Sequence, residues 1–182
     1  MENKKLSLEA LGRKSVEEAK NAPKTPLILI LDNIRSLNNV GAIFRTADAF
    51  LIEKIYLCGI TATPPHRDIQ KTALGATESV AWSYADDALA VVERLKAAGC
   101  AVWAIEQTAA STNLHDFRPP KKQKTAFVLG NEVKGVQQAV IDAAGQSLEI
   151  PQIGVKHSLN VSVTTGVVCW DFYSKMMAEE TI

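Results

Sequence analysis

The chain lacks an excess of charge, paired cysteines and long apolar runs. Its 20 basic and 20 acidic side chains cancel over 182 residues. Affinity for nucleic acid comes from Lys and Arg neutralising phosphates, so this balance argues against a protein that coats nucleic acid by bulk charge. The three cysteines, Cys58, Cys100 and Cys169, are far apart and include no CxxC pair. That pattern offers neither a disulfide framework nor a zinc or other metal site, and it points to a reduced, cytoplasmic setting. The apolar run from Leu27 to Leu31 is far below the ~20 residues a bilayer-spanning helix needs. The first twenty residues contain no apolar core of signal-peptide length. No membrane partner is expected.

What is present is a hydrophobic fraction of 47%. A domain near this length buries ~70% of its unfolded surface, which supplies a full core and excludes disorder or a fibrous repeat. One domain is expected. Leu6, Leu8, Leu11 and Val16 among charges predict a short amphipathic helix over residues 6–20, stopped by Pro23 and Pro26. LILIL, from Leu27, has the pattern of a strand buried on both faces of a parallel sheet. Asn38 and Asn39 offer caps for a helix in which Ile43, Ala47, Phe50 and Leu51 recur at helical spacing. KIYLCG predicts a strand, residues 78–83 a third strand, and residues 86–99 a helix with Gly99 at its C′ position. The scheme repeats with strands at 101–105, 125–130 and 147–150, a polar loop RPPKKQK, a short helix over 137–144, and a long apolar element over 159–177. This alternation predicts an α/β domain, a mainly parallel sheet flanked by helices. In such sheets ligands sit beyond the carboxyl ends of the strands, which singles out the loops after Leu31, Ile105, Leu129 and Ile150.

A phosphate fingerprint is missing there. Gly130-Asn131-Glu132-Val133-Lys134-Gly135 is followed by Val136, so it is neither GxGxxG nor a Walker loop, and no GxSxG elbow exists. A nucleotide-binding hydrolase is disfavoured. Taken singly, the polar residues of these loops have bland roles. Asn39 reads as a helix cap, Arg45 as an exposed partner of Asp48, Glu132 as a complement to a helix dipole, and Ser158 and Asn160 as caps of the last helix.

Jointly they are more specific. NVGAIFRTADAF at Asn39 to Phe50, LGNEVKGV at Leu129 to Val136 and IPQIGVKHSLNVSV at Ile150 to Val163 resemble, in order and spacing, the three signature motifs of the SpoU family of the SPOUT class. These are S-adenosylmethionine-dependent RNA ribose 2′-O-methyltransferases. The resemblance covers residues 27–175, leaving residues 1–26 as a helical appendage to a catalytic domain over 27–182. One departure is Leu51, where the family usually has glycine after AF, and it predicts a slightly longer helix.

The resemblance implies a C-terminal trefoil knot and a homodimer, and the apolar final helix with Val163, Val167 and Trp170 suits such an interface. It implies S-adenosylmethionine held by backbone groups at Gly130, Ile150 and Leu159, with Ile105 as a further candidate. Adenine needs apolar flanks and backbone partners rather than a charged fingerprint. It also implies that Arg45 is the catalytic arginine, which has been viewed as activating the ribose hydroxyl. Asn39, Glu132, Ser158 and Asn160 would hold Arg45, the loops and the target nucleotide. The implied partner is RNA, not DNA, with tRNA preferred over rRNA on chain size. Arg118, Lys121, Lys122 and Lys124 form a basic run suited to phosphate contacts. The alternatives are a base methyltransferase or a non-catalytic RNA-binding module of the same fold, though the latter would be expected to have lost Arg45, Glu132 or the Ser158–Asn160 triplet.

Overall fold

The computed structural model describes residues 3–7, 9–155 and 158–180. The centre of the molecule is β1 (Thr25–Asp32), whose residues are almost all inaccessible. It pairs in parallel with β2 (Ile52–Cys58) on one side and β6 (Thr125–Leu129) on the other. With β3 (Trp82–Ala85), β4 (Ala101–Ile105), β5 (Thr112–Asn113) and β7 (Ser147–Glu149) they form one seven-stranded sheet in the order β3-β2-β1-β6-β4-β7-β5. Every pairing is parallel.

Alternate residues of β1 face opposite layers, as the two-residue period of a strand requires. Leu27, Leu29 and Leu31 pack with α2 (Leu37–Ala49), α3 (Arg67–Ala73) and α7 (Val161–Glu180). Ile28 and Ile30 pack with α5 (Ala88–Ala97) and α6 (Gln138–Ala144). Burial on both faces explains why the run is apolar without alternation. After β7 the chain returns across the sheet to lay α7 against α2, a path consistent with the trefoil knot. The parallel sheet covered by helices on both faces is the expected fold class.

Several elements differ in detail. The N-terminal segment is a 3-10 turn (Glu9–Leu11) followed by α1 (Val16–Asn21), which Ser15 starts with a full capping box. Leu6, Leu11 and Val16 are exposed, and α1 docks through Ala19. Leu8 lies outside the described residues. The strand expected over 78–83 begins later, at Trp82. Residues before it form α3 and α4 (Ala76–Ser79), separated by Gly75 at φ +91°. These short helices are fixed by tertiary contact: a Cβ on Gly41 of α2 would collide with the Ile69 carbonyl and the Thr72 hydroxyl, so glycine lets α2 and α3 touch along their backbones. Ser79, expected in the strand, donates to Asp48 of α2 and to Ala76 O. Helix α5 ends as predicted. Gly99 N–H reaches Lys96 O and Cys100 N–H reaches Leu95 O, the paired bonds of a Schellman ending.

Helix α2 does not run on past Phe50. Leu51 takes the left-handed conformation, φ +49°, that the family's glycine adopts without strain. Its carbonyl accepts the Thr25 N–H that opens β1, while Thr25 Oγ1 donates to Phe50 O. The turn is thereby locked to the sheet without glycine.

Candidate active site

At the carboxyl end of β1 the chain turns sharply. Asp32 is fully buried, yet its carboxylate is satisfied: Asn33 Nδ2 donates at 2.8 Å, Gln137 N at 3.0 Å and Gln137 Nε2 at 2.7 Å. Asn33 sits at φ +58° and its Oδ1 accepts Ile60 N–H, while its carbonyl accepts Asn131 Nδ2 at 2.7 Å. These contacts tie the end of β1 to the loops after β2 and β6. Asp32 and Asn33 were not singled out from sequence; the only local signal was a carboxylate closing a fully apolar strand.

The loop after β6 is a tight turn. Asn131 and Gly135 exchange backbone hydrogen bonds, and Asn131 Oδ1 accepts from Val133 N and Lys134 N. Gly130 runs so close to Gly135 and Val136 that no Cβ fits, and Gly135 lies at φ +68°. Glu106, after β4, accepts from Val136 N at 3.0 Å and so clamps this turn to its neighbour.

The turn projects Glu132 onto the start of α2. Glu132 is not at the head of a helix of its own. Its Oε2 accepts Arg35 N at 2.9 Å, and its Oε1 accepts both Ser36 N and Asn39 Nδ2 at 2.9 Å. Burial pushes the Glu132 carboxyl up, but the two backbone donors and the Asn39 amide outweigh it and hold it below its ordinary value. The cap of α2 is Ser36, not Asn38 or Asn39; its hydroxyl accepts Asn39 N. Asn39 therefore lies inside the first turn with its side chain free for other partners. Its Oδ1 accepts Asn160 Nδ2 at 3.2 Å. Asn160 Oδ1 meanwhile accepts Ser162 N and Ser162 Oγ, so it both caps α7 and extends the chain Glu132–Asn39–Asn160.

This chain borders a crevice of about 640 Å³ beyond the ends of β4, β6 and β7. Ile105, Gly130, Ile150 and Leu159 all line it, as do Glu132, Ser158 and Asn160. Three loops far apart in sequence, after β4, β6 and β7, thus meet at one site, and Glu132 ties the start of α2 to them. Arg45 is not drawn into it. It stands exposed on α2 and forms no hydrogen bond or ion pair with the described residues. The expected pair with Asp48 is absent, because Asp48 accepts from Ser79 instead. The basic run lies elsewhere too. Lys124 immediately precedes β6, at the opposite end of the sheet, and is paired with Glu53 at 2.6 Å. Arg118 is spent on the carbonyls of His115 and Phe117.

Residues 26–170 match the model of the SpoU rRNA Methylase family. The chain belongs to this family. A SpoU-family relative, the 23S rRNA (guanosine-2′-O-)-methyltransferase RlmB of Neisseria meningitidis serogroup B, is 30% identical over 148 residues. The match covers 81% of this chain and 58% of that protein, so the chain spans under two thirds of its relative's length. Among solved structures, the AdoMet-bound rRNA methyltransferase from Sinorhizobium meliloti superposes with TM-score 0.75 at 28% identity, covering 82% of this chain and 56% of that one. The A. aeolicus TrmH/SpoU tRNA modifying enzyme superposes with TM-score 0.80 at 24% identity over 91% and 82% of the two chains, which establishes the shared fold. The three segments that resemble SpoU motifs lie within the matched residues, and each contributes one member, Asn39, Glu132 or Asn160, to the hydrogen-bonded chain beside the crevice. No helix among the described residues is long and apolar enough to cross a membrane.

Proposed function

We propose that the protein transfers a methyl group from S-adenosylmethionine to a ribose 2′-hydroxyl of RNA. The observation that carries this reading is the convergence of the Glu132–Asn39–Asn160 chain with the crevice lined by Ile105, Gly130, Ile150 and Leu159. The crevice fits the cofactor by its chemistry. Apolar Ile105, Leu148, Ile150 and Leu159 offer flanks for a purine, and the loops at Gly130 and Ile150 present backbone groups. When bound, the cofactor supplies an electrophilic methyl carbon on a sulfonium.

The chain's own groups do the rest. Glu132 fixes the orientation of Asn39: with Nδ2 given to the carboxylate, Oδ1 faces Asn160. Ser158, at the border of the crevice and without a hydrogen-bond partner among the described residues, is available to the nucleotide. A guanidinium is a poor proton acceptor, so Arg45 is given no base role. Its role is to hold the RNA phosphate and stabilise the alkoxide that develops as the 2′-oxygen passes its proton to a phosphate oxygen or to water and takes up the methyl group. Holding nucleophile and methyl at near-attack distance supplies much of the remaining rate.

The active form in this reading is a homodimer formed through α7, which is apolar on both sides. Val168, Cys169 and Phe172 pack inward, while Val163, Val167 and Trp170 are exposed along the outer side. A helix with apolar side chains on its outer as well as its inner side has a second face to bury.

The test is incubation of the full chain with labelled cofactor and separated rRNA and tRNA pools, followed by mass mapping of the nucleosides. Ribosomal RNA is offered first, because the Neisseria relative is named for it; the tRNA pool decides the preference drawn from chain size. A 2′-O-methyl nucleoside is expected. A methyl on a base overturns the ribose assignment, and no transfer to either pool overturns the enzymatic reading in favour of an RNA-binding module. Arg45→Ala is expected to lower turnover ~100-fold or more, the scale of losing one group that stabilises developing charge, while cofactor affinity stays within about twofold.

A further inference from the structure

A second hollow, of about 720 Å³, opens at the amino ends of β1 and β6, on the far side of the sheet from the crevice. Its lining combines aromatic Phe50 and Tyr173 with Lys24, Lys121, Lys122 and Lys124; no described lining residue carries a carboxylate, although Lys124 is paired with Glu53 from outside the lining and Lys24 donates to Ala19 O. In a chain whose charges balance overall, this is a strong local asymmetry. The aromatic side is built from two helices. Phe50 caps the end of α2, and its ring centroid lies 5.6 Å from Tyr173 and 6.0 Å from Trp170 of α7. The basic side is a loop fixed at both ends: Arg118 donates to the carbonyls of His115 and Phe117, and Gln123 Nε2 donates to Gly99 O at 2.7 Å. Pro119 and Pro120 stiffen the segment between. Lys122, at φ +59°, makes no hydrogen bond or ion pair with the described residues.

Aromatic faces beside clustered ammonium groups match a ligand with a flat apolar face and an anionic group. That is the chemistry of an unpaired nucleotide, whose base stacks while its phosphates meet lysines. An acidic peptide would leave the aromatic rings unmatched. We propose that this hollow binds an unpaired nucleotide of the RNA, with the base against Phe50 and Tyr173 and the phosphates on Lys121 and Lys122. The inference rests on the reading of the protein as one that acts on RNA, and it adds a second contact. Strand β6 separates the two sites by roughly 15–20 Å, taking about 3.3 Å per residue. The RNA must therefore reach around the sheet edge, or from one subunit to the next, to fill both.

The experiment uses the full chain and an octauridylate carrying one 4-thiouridine. Photo-crosslinks are expected at Phe50, Tyr173 or their immediate neighbours. Lys121→Ala with Lys122→Ala should weaken octauridylate binding ~10-fold at 0.1 M salt and lower the log–log salt slope by about 1.4, the value for two phosphate contacts to a single strand. An unchanged unfolding midpoint shows that the variant is intact. Unchanged affinity and slope, or crosslinks confined to other surfaces, overturn the proposal. So does a change in the number of subunits per assembly in the variant, which would make the hollow an interface between copies. Binding lost in the variant but no methylation by the parent would sink the proposed activity and leave the hollow standing. Methylation with unaltered variant affinity would do the reverse.

Discussion

Glu132 shows how one side chain can organise a site. Its carboxylate accepts three hydrogen bonds at the start of α2, and those donors hold its pKa below the ordinary carboxylate value. A group whose pKa is lower folded than unfolded contributes stability that is complete above the unfolded value and is lost as pH falls through the folded one. Glu132→Gln should therefore cost about 1–2 kcal/mol at pH 7, because an amide brings a donor against donors. The gap between parent and variant should start to narrow as the pH falls past the ordinary carboxylate value of about 4.3 and should close only below the depressed value of the folded Glu132. Urea unfolding of both proteins across that range tests this, and a gap independent of pH would remove Glu132 from the role. The importance of Glu132 was legible only through the LGNExxGV string, since its partners stand up to 97 residues away. The same distance explains why Asp32 escaped notice. Its ligand Gln137 is 105 residues further along the chain, and no local rule connects a strand-ending carboxylate with it. The cap of α2 was misplaced for a related reason. Ser36, Asn38 and Asn39 all precede the apolar stripe, and the choice falls on Ser36 because Glu132 binds the backbone there.

Elements read well from sequence where burial alone defines them. LILIL became the central strand, Ile43 and Ala47 the inner face of α2, and Gly99 a Schellman ending. Reading failed for α3 and α4, four to seven residues long, whose existence depends on the backbone contact at Gly41 and the bond from Ser79 to Asp48. It failed in a more instructive way at Leu51. Losing glycine was expected to prolong α2; instead the chain keeps the turn and accepts the strain, because Leu51 O and Phe50 O are already engaged by Thr25. A left-handed residue with a Cβ costs about 1–2 kcal/mol. Leu51→Ala and Leu51→Gly remove nearly the same packing, but only glycine relieves that strain. The glycine variant should exceed the alanine variant by about 1 kcal/mol after glycine's own entropic cost, or roughly 2–4 °C in melting temperature for a chain of this size. Equal melting temperatures would mean that the turn is unstrained.

At the scale of the whole molecule, zero net charge conceals a polarised surface. Lysines gather around the hollow at the amino ends of the strands, whereas among the described residues the crevice at the carboxyl ends is lined by Glu106, Glu132 and Glu149 together with Lys134. In the reading proposed above, the lysines of the hollow would meet RNA phosphates well apart from the crevice assigned to the cofactor. Two features suit the homodimer of the proposed reading: Arg45 stands outside the crevice, and Val163, Val167 and Trp170 are exposed along α7. Gly166 lies within that helix with open space around it, so nothing inside the subunit requires a glycine there. Mid-helix glycine costs about 1 kcal/mol relative to alanine, and close approach of a second copy would supply the compensation. Val163→Asp combined with Val167→Asp places two carboxylates on the exposed stripe, where a lone subunit would tolerate them. In a dimer they would be buried without partners, at a cost of several kcal/mol. Sedimentation should then show the parent at twice 19.7 kDa and the double variant at 19.7 kDa with an intact fold. Methylation should fall with the loss of the dimer, because each crevice then stands without whatever the second copy brings to it. A parent that sediments at the single-chain mass, or a double variant that stays paired, would show that this face has some other use.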